Sequence, residues 1–203
     1  MKLTWRGHAC FEVESGGYRI LLDPYHEVVG LPDIAGEANE VLCSHFHRDH
    51  GYVEELKILG GVSPFTVEEI ATFHDDQQGA LRGTNTVRVF SADGVRVAHL
   101  GDLGHMPDAQ QMAKLAGLDA LMIPIGGTYT LDAAQAAELV KQLKPRMTIP
   151  MHYRKGGMGY EVLQTLEDFL CHFENAEICY CDGNSVTVTT EALPDIAIPV
   201  YQG

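Results

Sequence analysis

The sequence predicts a single α/β domain built in layers, with mixed sheets inside and helices outside. Three observations carry that expectation. Short alternating segments turn back on themselves at Gly16-Gly17 and Asp93-Gly94, as hairpins do. In the second half, apolar strand-like runs alternate with stretches whose apolar residues recur at helical spacing. The length, 203 residues, suffices to bury a core without staples, so residues 1–203 read as one unit.

In chain order, residues 10–15 (CFEVES) alternate and turn at Gly16-Gly17 into 18–23 (YRILLD). Residues 40–44 (EVLCS) form a short apolar strand. Apolar positions at helical spacing predict a helix over 52–59 (YVEELKIL), stopped by Gly60-Gly61. Polar, glycine-containing sequence follows through 85, and 86–102 form a hairpin turning at Asp93-Gly94. Then come a helix over 107–118, a strand over 119–125 and a loop at Gly126-Gly127. A second Ala-rich helix over 131–144 is stopped by Pro145, and a strand over 146–150 follows. A helix over 159–173 precedes a last hairpin over 176–190, turning at Asp182-Gly183, and the tail 192–203 is expected along the surface or at an oligomer contact. The ββα order in each half hints at a duplication.

The chain carries 14 Lys and Arg against 28 Asp and Glu, a formal charge of −14. Nucleic acid and anionic membrane demand clustered cations, so neither is the expected partner, although a local basic pocket for an anionic substrate stays open. No apolar run approaches the ~18 residues of a membrane span, and the first residues lack the apolar stretch of a signal peptide. The expected location is the cytoplasm. The five cysteines, Cys10, Cys43, Cys171, Cys179 and Cys181, show no metal-finger spacing and read as buried thiols of a reducing compartment.

Chemistry concentrates in 42–52, LCSHFHRDHGY, where His45, His47, Asp49 and His50 crowd six positions. Imidazole nitrogen and carboxylate oxygen suit zinc, manganese or iron. In an extended segment His45 and His47 point to one side and can share an ion, while Asp49 and His50, where the chain turns, can face a second. Such ions need more donors. His74 in TFHDDQQG, Asp102 in AHLGDLGH and His152 in IPMHYRKGG each lie at or just beyond the end of a predicted element, as rim ligands do. His99 competes with His74 but sits inside a predicted strand, where a core histidine is expected.

With these residues in place, the sequence resembles the metallo-β-lactamase superfamily of metallohydrolases. The signature His-x-His-x-Asp-His is present, and the later His, Asp and His follow in order as His74, Asp102 and His152. Residues 5–24, with HLGDLGH, PIGGTYT and IPMHY, look like the branch related to ascorbate-6-phosphate lactonase and to phospholipase-D-type members. The resemblance runs from Trp5 to about Asn184. It implies a four-layer αβ/βα sandwich, two mixed sheets flanked by helices, with metals on its upper rim. One ion would be held by His45, His47 and His74 and the other by Asp49, His50 and His152, with Asp102 shared. Zinc is the first choice for both ions, with manganese, iron or nickel as alternatives. His8 and His105 resemble motif histidines that either line the pocket or brace it. Asp23 would orient a ligand, and His26 and His172 read as surface or helix-face residues. Thr128 with neighbouring backbone amides would face the substrate, and Arg154 or Lys155 would meet a substrate anion.

The implied activity is hydrolysis by a metal-bridging hydroxide, with Asp49 orienting it or moving its proton, on a small lactone, ester, amide or phosphodiester. Little sequence is left for a substrate-covering insertion, so the site is either open or completed by a neighbouring subunit of a homo-oligomer. Two alternatives share the fold. A di-iron redox protein is one, although redox members typically carry a carboxylate at the position of His47. A non-catalytic metal-binding module is the other, against which the complete ligand set speaks.

Overall fold

The structure is a computed structural model that describes residues 1–201. β1 (Lys2–Gly7) alternates between faces, sending Leu3 and Trp5 inward. β2 (Cys10–Ser15) and β3 (Tyr18–Leu22) extend the meander around Gly16 and Gly17, whose φ values of 57° and 79° supply the two left-handed positions of a tight hairpin. β4 (Gly36–Ala38) follows a long loop, and β5 (Glu40–Leu42) returns parallel to β3. β6 (Leu56–Ile58) pairs only with β4, as a separate ribbon.

β7 (Thr66–Phe73), β8 (Thr84–Ala92) and β9 (Val95–His99) form an antiparallel run. After α1 (Ala109–Lys114) the order is β10 (Ala120–Pro124), α2 (Ala133–Leu143), β11 (Thr148–Met151), α3 (Leu166–Leu170), β12 (Ile178–Tyr180), β13 (Ser185–Thr187) and β14 (Ile196–Ile198). Two mixed sheets result, with strand orders β13-β1-β2-β3-β5 and β12-β14-β11-β10-β9-β8-β7. β10 and β11 are buried along their whole length, as parallel strands covered on both faces are.

One apolar cluster joins Leu3, Phe11, Val13 and Ile20 of the first sheet to Val87, Val97, Leu121 and Ile149 of the second, so the sheets stack face to face. α2 adds Ala136, Ala137, Leu139 and Val140 to that cluster, and α3 adds Leu166 and Phe169. α2 opens with a capping box between Asp132 and Gln135 and ends on left-handed Lys144 before Pro145. The layered α/β sandwich is the one expected, with an uneven outer cover. Helices pack on the second sheet, whereas Cys10 and Leu21 on the back of the first are covered by Tyr25, Val28, Ile34 and Ala38 from the loop and the ribbon.

Four local expectations are corrected. Residues 52–59 hold a turn and β6 instead of a helix. Val53, Ile58 and Leu59 all stay exposed, so a helix there would bury no face to offset its nucleation. The polar stretch before 85, to which the sequence assigned no element, contains β7, an edge strand whose Glu69 pairs across to Arg88 at 2.9 Å. The expected last hairpin is a crossing: β12 joins the large sheet and β13 the small one. The tail does not lie on the surface, since β14 is a buried strand between β12 and β11; residues 202–203 lie outside the described residues. The cysteines are also less buried than expected, with Cys171 and Cys179 exposed. Among the described residues no helix is long and apolar enough to cross a membrane.

Candidate metal centre

Strand ends on one rim deliver the candidate ligands. His45 and His47 follow β5, His74 follows β7, Asp102 follows β9, and His152 follows β11. Asp49 and His50 sit in a tight turn closed by backbone bonds from His50 and Gly51 to the His47 carbonyl, at 3.0 and 2.9 Å. The structure gathers them into two groups. Ligand atoms of His45, His47 and His74 lie within 4.8 Å of one another, and those of Asp49, His50 and His152 do the same together with His8. Asp102 stands between. Its Oδ2 is 3.2 Å from His74 Nε2 and 3.3 Å from His152 Nε2, and its Oδ1 is 3.2 Å from His50 Nε2.

Neighbouring acceptors set which ring nitrogen each histidine presents. The Asp23 carboxylate accepts from Ser44 N and Ser44 Oγ, each at 2.6 Å, and from His50 Nδ1 at 2.8 Å, leaving His50 Nε2 to face Asp102. Ser44 Oγ, its proton given to Asp23, takes His45 Nδ1–H at 2.9 Å. His74 Nδ1–H reaches the Tyr129 carbonyl at 3.0 Å. Asn85, buried and absent from the sequence reading, accepts from Asp102 N at 2.9 Å and donates to Thr72 and the Leu100 carbonyl. Gly104 packs so tightly on His74 that a Cβ there would run into the His74 backbone.

The electrostatics call for a cation. His45 Nε2, His50 Nε2, Asp102 Oδ1, both nitrogens of His152 and both of His8 are buried without a hydrogen-bond partner. Buried polar atoms are rarely left so, and seven in one cluster fit an ion that the protein would hold. Burial, then the His50 charge, pulls His45 down to about 3; burial, then His152, pulls His8 down to about 4. Both imidazoles are therefore neutral at pH 7. Burial works against a charge on His50, yet the Asp102 and Asp23 carboxylates raise it well above the usual range. Positive charge is favoured at that point, and a bound divalent ion would supply it.

A cleft of about 330 Å³ opens over the first group, lined by His47, Asp49, His74, Arg82, Asp102, Tyr129 and Tyr160. Arg82, Tyr129 and Tyr160 are lone residues with no spacing signal, and the sequence reading missed all three. Three expected substrate contacts lie elsewhere. Thr128 Oγ1 donates to the Val162 carbonyl, and its neighbour Tyr129 takes the cleft position. His105 braces β7 by accepting from Phe73 N at 3.2 Å, with Nδ1 on the Met106 carbonyl. Arg154 Nε donates to the Leu163 carbonyl at 2.7 Å, and neither Arg154 nor Lys155 lines the cleft. Of the remaining histidines, His99 bonds the Ala9 carbonyl and Gly101 N in the core, and His26 pairs with Asp33 on the surface, where His172 is also exposed.

A model of the β-lactamase superfamily domain matches residues 2–152. A UPF0173 protein of Pyrococcus furiosus is 32% identical over 184 residues, covering 75% of this chain and 83% of that protein. A UPF0173 metal-dependent hydrolase of Archaeoglobus fulgidus is 31% identical over 195 residues, with 75% and 83% covered. Among solved structures, a candidate zinc-dependent hydrolase of the metallo-β-lactamase superfamily from Thermotoga maritima superposes with a TM-score of 0.76. It is 30% identical, and 99% of each chain is covered.

Proposed function

The chain belongs to the β-lactamase superfamily, and we propose that it is a metal-dependent hydrolase with a two-ion centre, acting on a small ester-, lactone-, amide- or phosphodiester-type substrate. The observation that supports this most is the position of Asp102, whose two oxygens reach histidines of both groups at 3.2 and 3.3 Å. One ion would be held by His45, His47 and His74 and the other by Asp49, His50 and His152, with Asp102 shared. The imidazole and carboxylate donors suit zinc first, and equally admit manganese, iron or nickel. Divalent ions in such a site lower the pKa of water toward neutrality and polarise a carbonyl or phosphoryl oxygen.

The chain's own groups do the rest. The Asp49 carboxylate, 22% exposed, opens on the cleft and is the group placed to orient the attacking water and take its proton. Burial, then the Asp49 charge, pushes the Tyr160 phenol up to about 12, so it stays a donor at neutral pH and can meet a substrate oxygen. Arg82 stacks over the Tyr129 ring at 5.5 Å and supplies the cleft's cation. A substrate with an anionic or strongly polar end suits that wall, and a lactone of a phosphorylated or carboxylated compound is the form to try first.

Metal analysis of protein purified without added metal should find close to two equivalents of a divalent transition metal. Asp102→Asn should release them. A panel of lactones, esters, phosphodiesters, amides and thioesters should then show turnover that chelation abolishes and metal restores. Full turnover by metal-stripped protein would sink the reading.

A further inference from the structure

We infer that His8 is itself a ligand of the second ion, a donor sent from the first hairpin of the chain to join Asp49, His50 and His152; this rests on the two-ion reading above.

His8 occupies the turn between β1 and β2 with its side chain fully buried and neither ring nitrogen hydrogen-bonded. Its φ is 51°, a left-handed conformation uncommon outside glycine, although histidine, like asparagine and aspartate, adopts it more often than most side chains do. Strain of that kind persists where the surroundings enforce it, and here they do. The His8 carbonyl accepts from Trp5 Nε1 at 3.0 Å and from His152 N at 3.2 Å, which fixes the backbone against the end of β11. The ring is held beside His152, centroids 4.0 Å apart, with Tyr160 edge-on at 5.8 Å.

Distances separate a ligand from a hydrogen-bonding brace. His8 Nε2 lies 3.5 Å from Asp49 Oδ2. A charge-assisted hydrogen bond between imidazole and carboxylate would be about 2.7–2.9 Å, so the pair is too far apart for one. Two donors about 2.0–2.1 Å from one four- or five-coordinate ion stand roughly 2.9–3.6 Å apart, a range that includes the 3.5 Å found here. Slightly shorter spacings within the same range recur between Asp102 and His50, His74 and His152, at 3.2, 3.2 and 3.3 Å. His8 thus relates to Asp49 as the other proposed ligands relate to Asp102.

The consequence is an asymmetric centre. With Asp102 shared, the second ion would have five protein donors and the first four. The side chains of His8, His50 and His152 are all inaccessible, whereas His47 of the first group is exposed on the cleft. The second ion would be closed in and held tightly, and the first would keep the position open to substrate.

The test compares wild type, His8→Gln and His8→Ala as full-length proteins. It measures metal stoichiometry, affinity against a chelator, and the visible spectrum after cobalt loading. His8→Gln is expected to weaken one of the two sites by more than the roughly ten- to hundredfold that loss of a ligand's hydrogen-bonding partner costs. It should also shift the cobalt bands toward lower coordination while leaving the other site intact. Thermal unfolding of the metal-free proteins should show His8→Gln close to wild type, because the imidazole has no hydrogen bond to lose, and His8→Ala lower only by the packing of the ring on His152 and Tyr160. Two ions bound by both variants with wild-type affinity and spectrum would overturn the assignment. So would a metal-free variant markedly less stable than wild type that still binds both ions, since His8 would then be a structural brace. A wild-type protein that binds no metal would overturn the two-ion reading instead.

Discussion

His50 and Asp23, distant by 27 residues in the chain, meet in a buried hydrogen bond of 2.8 Å from Nδ1 to Oδ2. The same carboxylate holds Ser44 by its backbone and its hydroxyl, and Ser44 in turn holds His45. One aspartate at the end of β3 therefore orients one histidine from each group. Asp23→Asn isolates that role, because asparagine tolerates the left-handed φ of 47° found here and keeps the shape. Its amide would turn a donor toward Ser44 or His50. Metal affinity is expected to fall about ten- to hundredfold at both sites. Chelator competition measures it, and a loss confined to one site would refute the shared role.

The loop after β7 hangs on Asp75. Its two oxygens accept from the backbone of Gln77, Gly79, Leu81 and Arg82 at 2.8 to 3.0 Å. Burial opposes its charge, but these donors outweigh it and hold the carboxyl down at about 2. The loop begins at His74 and contains Arg82, so one anchor sets a proposed ligand and the cleft's cation together. Asp75→Ala should both weaken metal binding and raise KM, and it should open the loop to protease. Limited proteolysis with and without metal reads this directly, and protection equal to wild type would count against it.

All the proposed ligands but His74 were legible because they sit in short local motifs at the end of an apolar run: His45 to His50 after residues 40–44, Asp102 in HLGD, His152 in IPMH; His74 was placed by its order in the pattern and its loop. Local pattern also gave the main strands and α2. It failed where the cause was tertiary. The Glu68-Glu69 pair hid the alternation of β7, an edge strand on which charges are common. β14 is three apolar residues between Pro194 and Pro199, too short to signal a strand without the sheet that buries it. Residues 52–59 had helical spacing but no surface to bury it against. Arg82, Tyr129 and Tyr160 come from three separate loops, and only the folded rim brings them to one cleft. The segments holding Tyr129 and Tyr160 did draw attention, but through Thr128 and Arg154, which do not line this cleft.

Gly126 closes the loop after β10 against the end of β11, and a Cβ there would strike the His152 carbonyl. Overpacking of this kind costs about 1–3 kcal/mol. The strain would fall on the turn where His152 holds a φ of 54°. Gly126→Ala is expected to lower the melting temperature and, in metal titrations, to weaken the second site more than the first. Equal weakening of both sites would show that the strain spreads through the rim instead.

Arg82 carries the last prediction, on substrate charge. Among the described residues no carboxylate pairs with it, although the chain holds 28 Asp and Glu against 14 Lys and Arg, and its guanidinium lies over Tyr129. Its charge is free to meet a ligand. Losing a charge-assisted contact costs about 1.5–3 kcal/mol, so Arg82→Ala should raise KM for an anionic substrate roughly ten- to hundredfold. Turnover of an uncharged analogue should change little, and both metal equivalents should remain. Arg82→Lys should recover only part of the loss, because lysine returns the charge without the planar face that stacks on Tyr129. Salt should raise KM for wild type and leave Arg82→Ala nearly unaffected, since screening acts on a charge that the variant lacks. Steady-state kinetics with a matched charged and neutral substrate pair decide the matter. Equal KM changes for both would mean that Arg82 shapes the cleft and does not read charge.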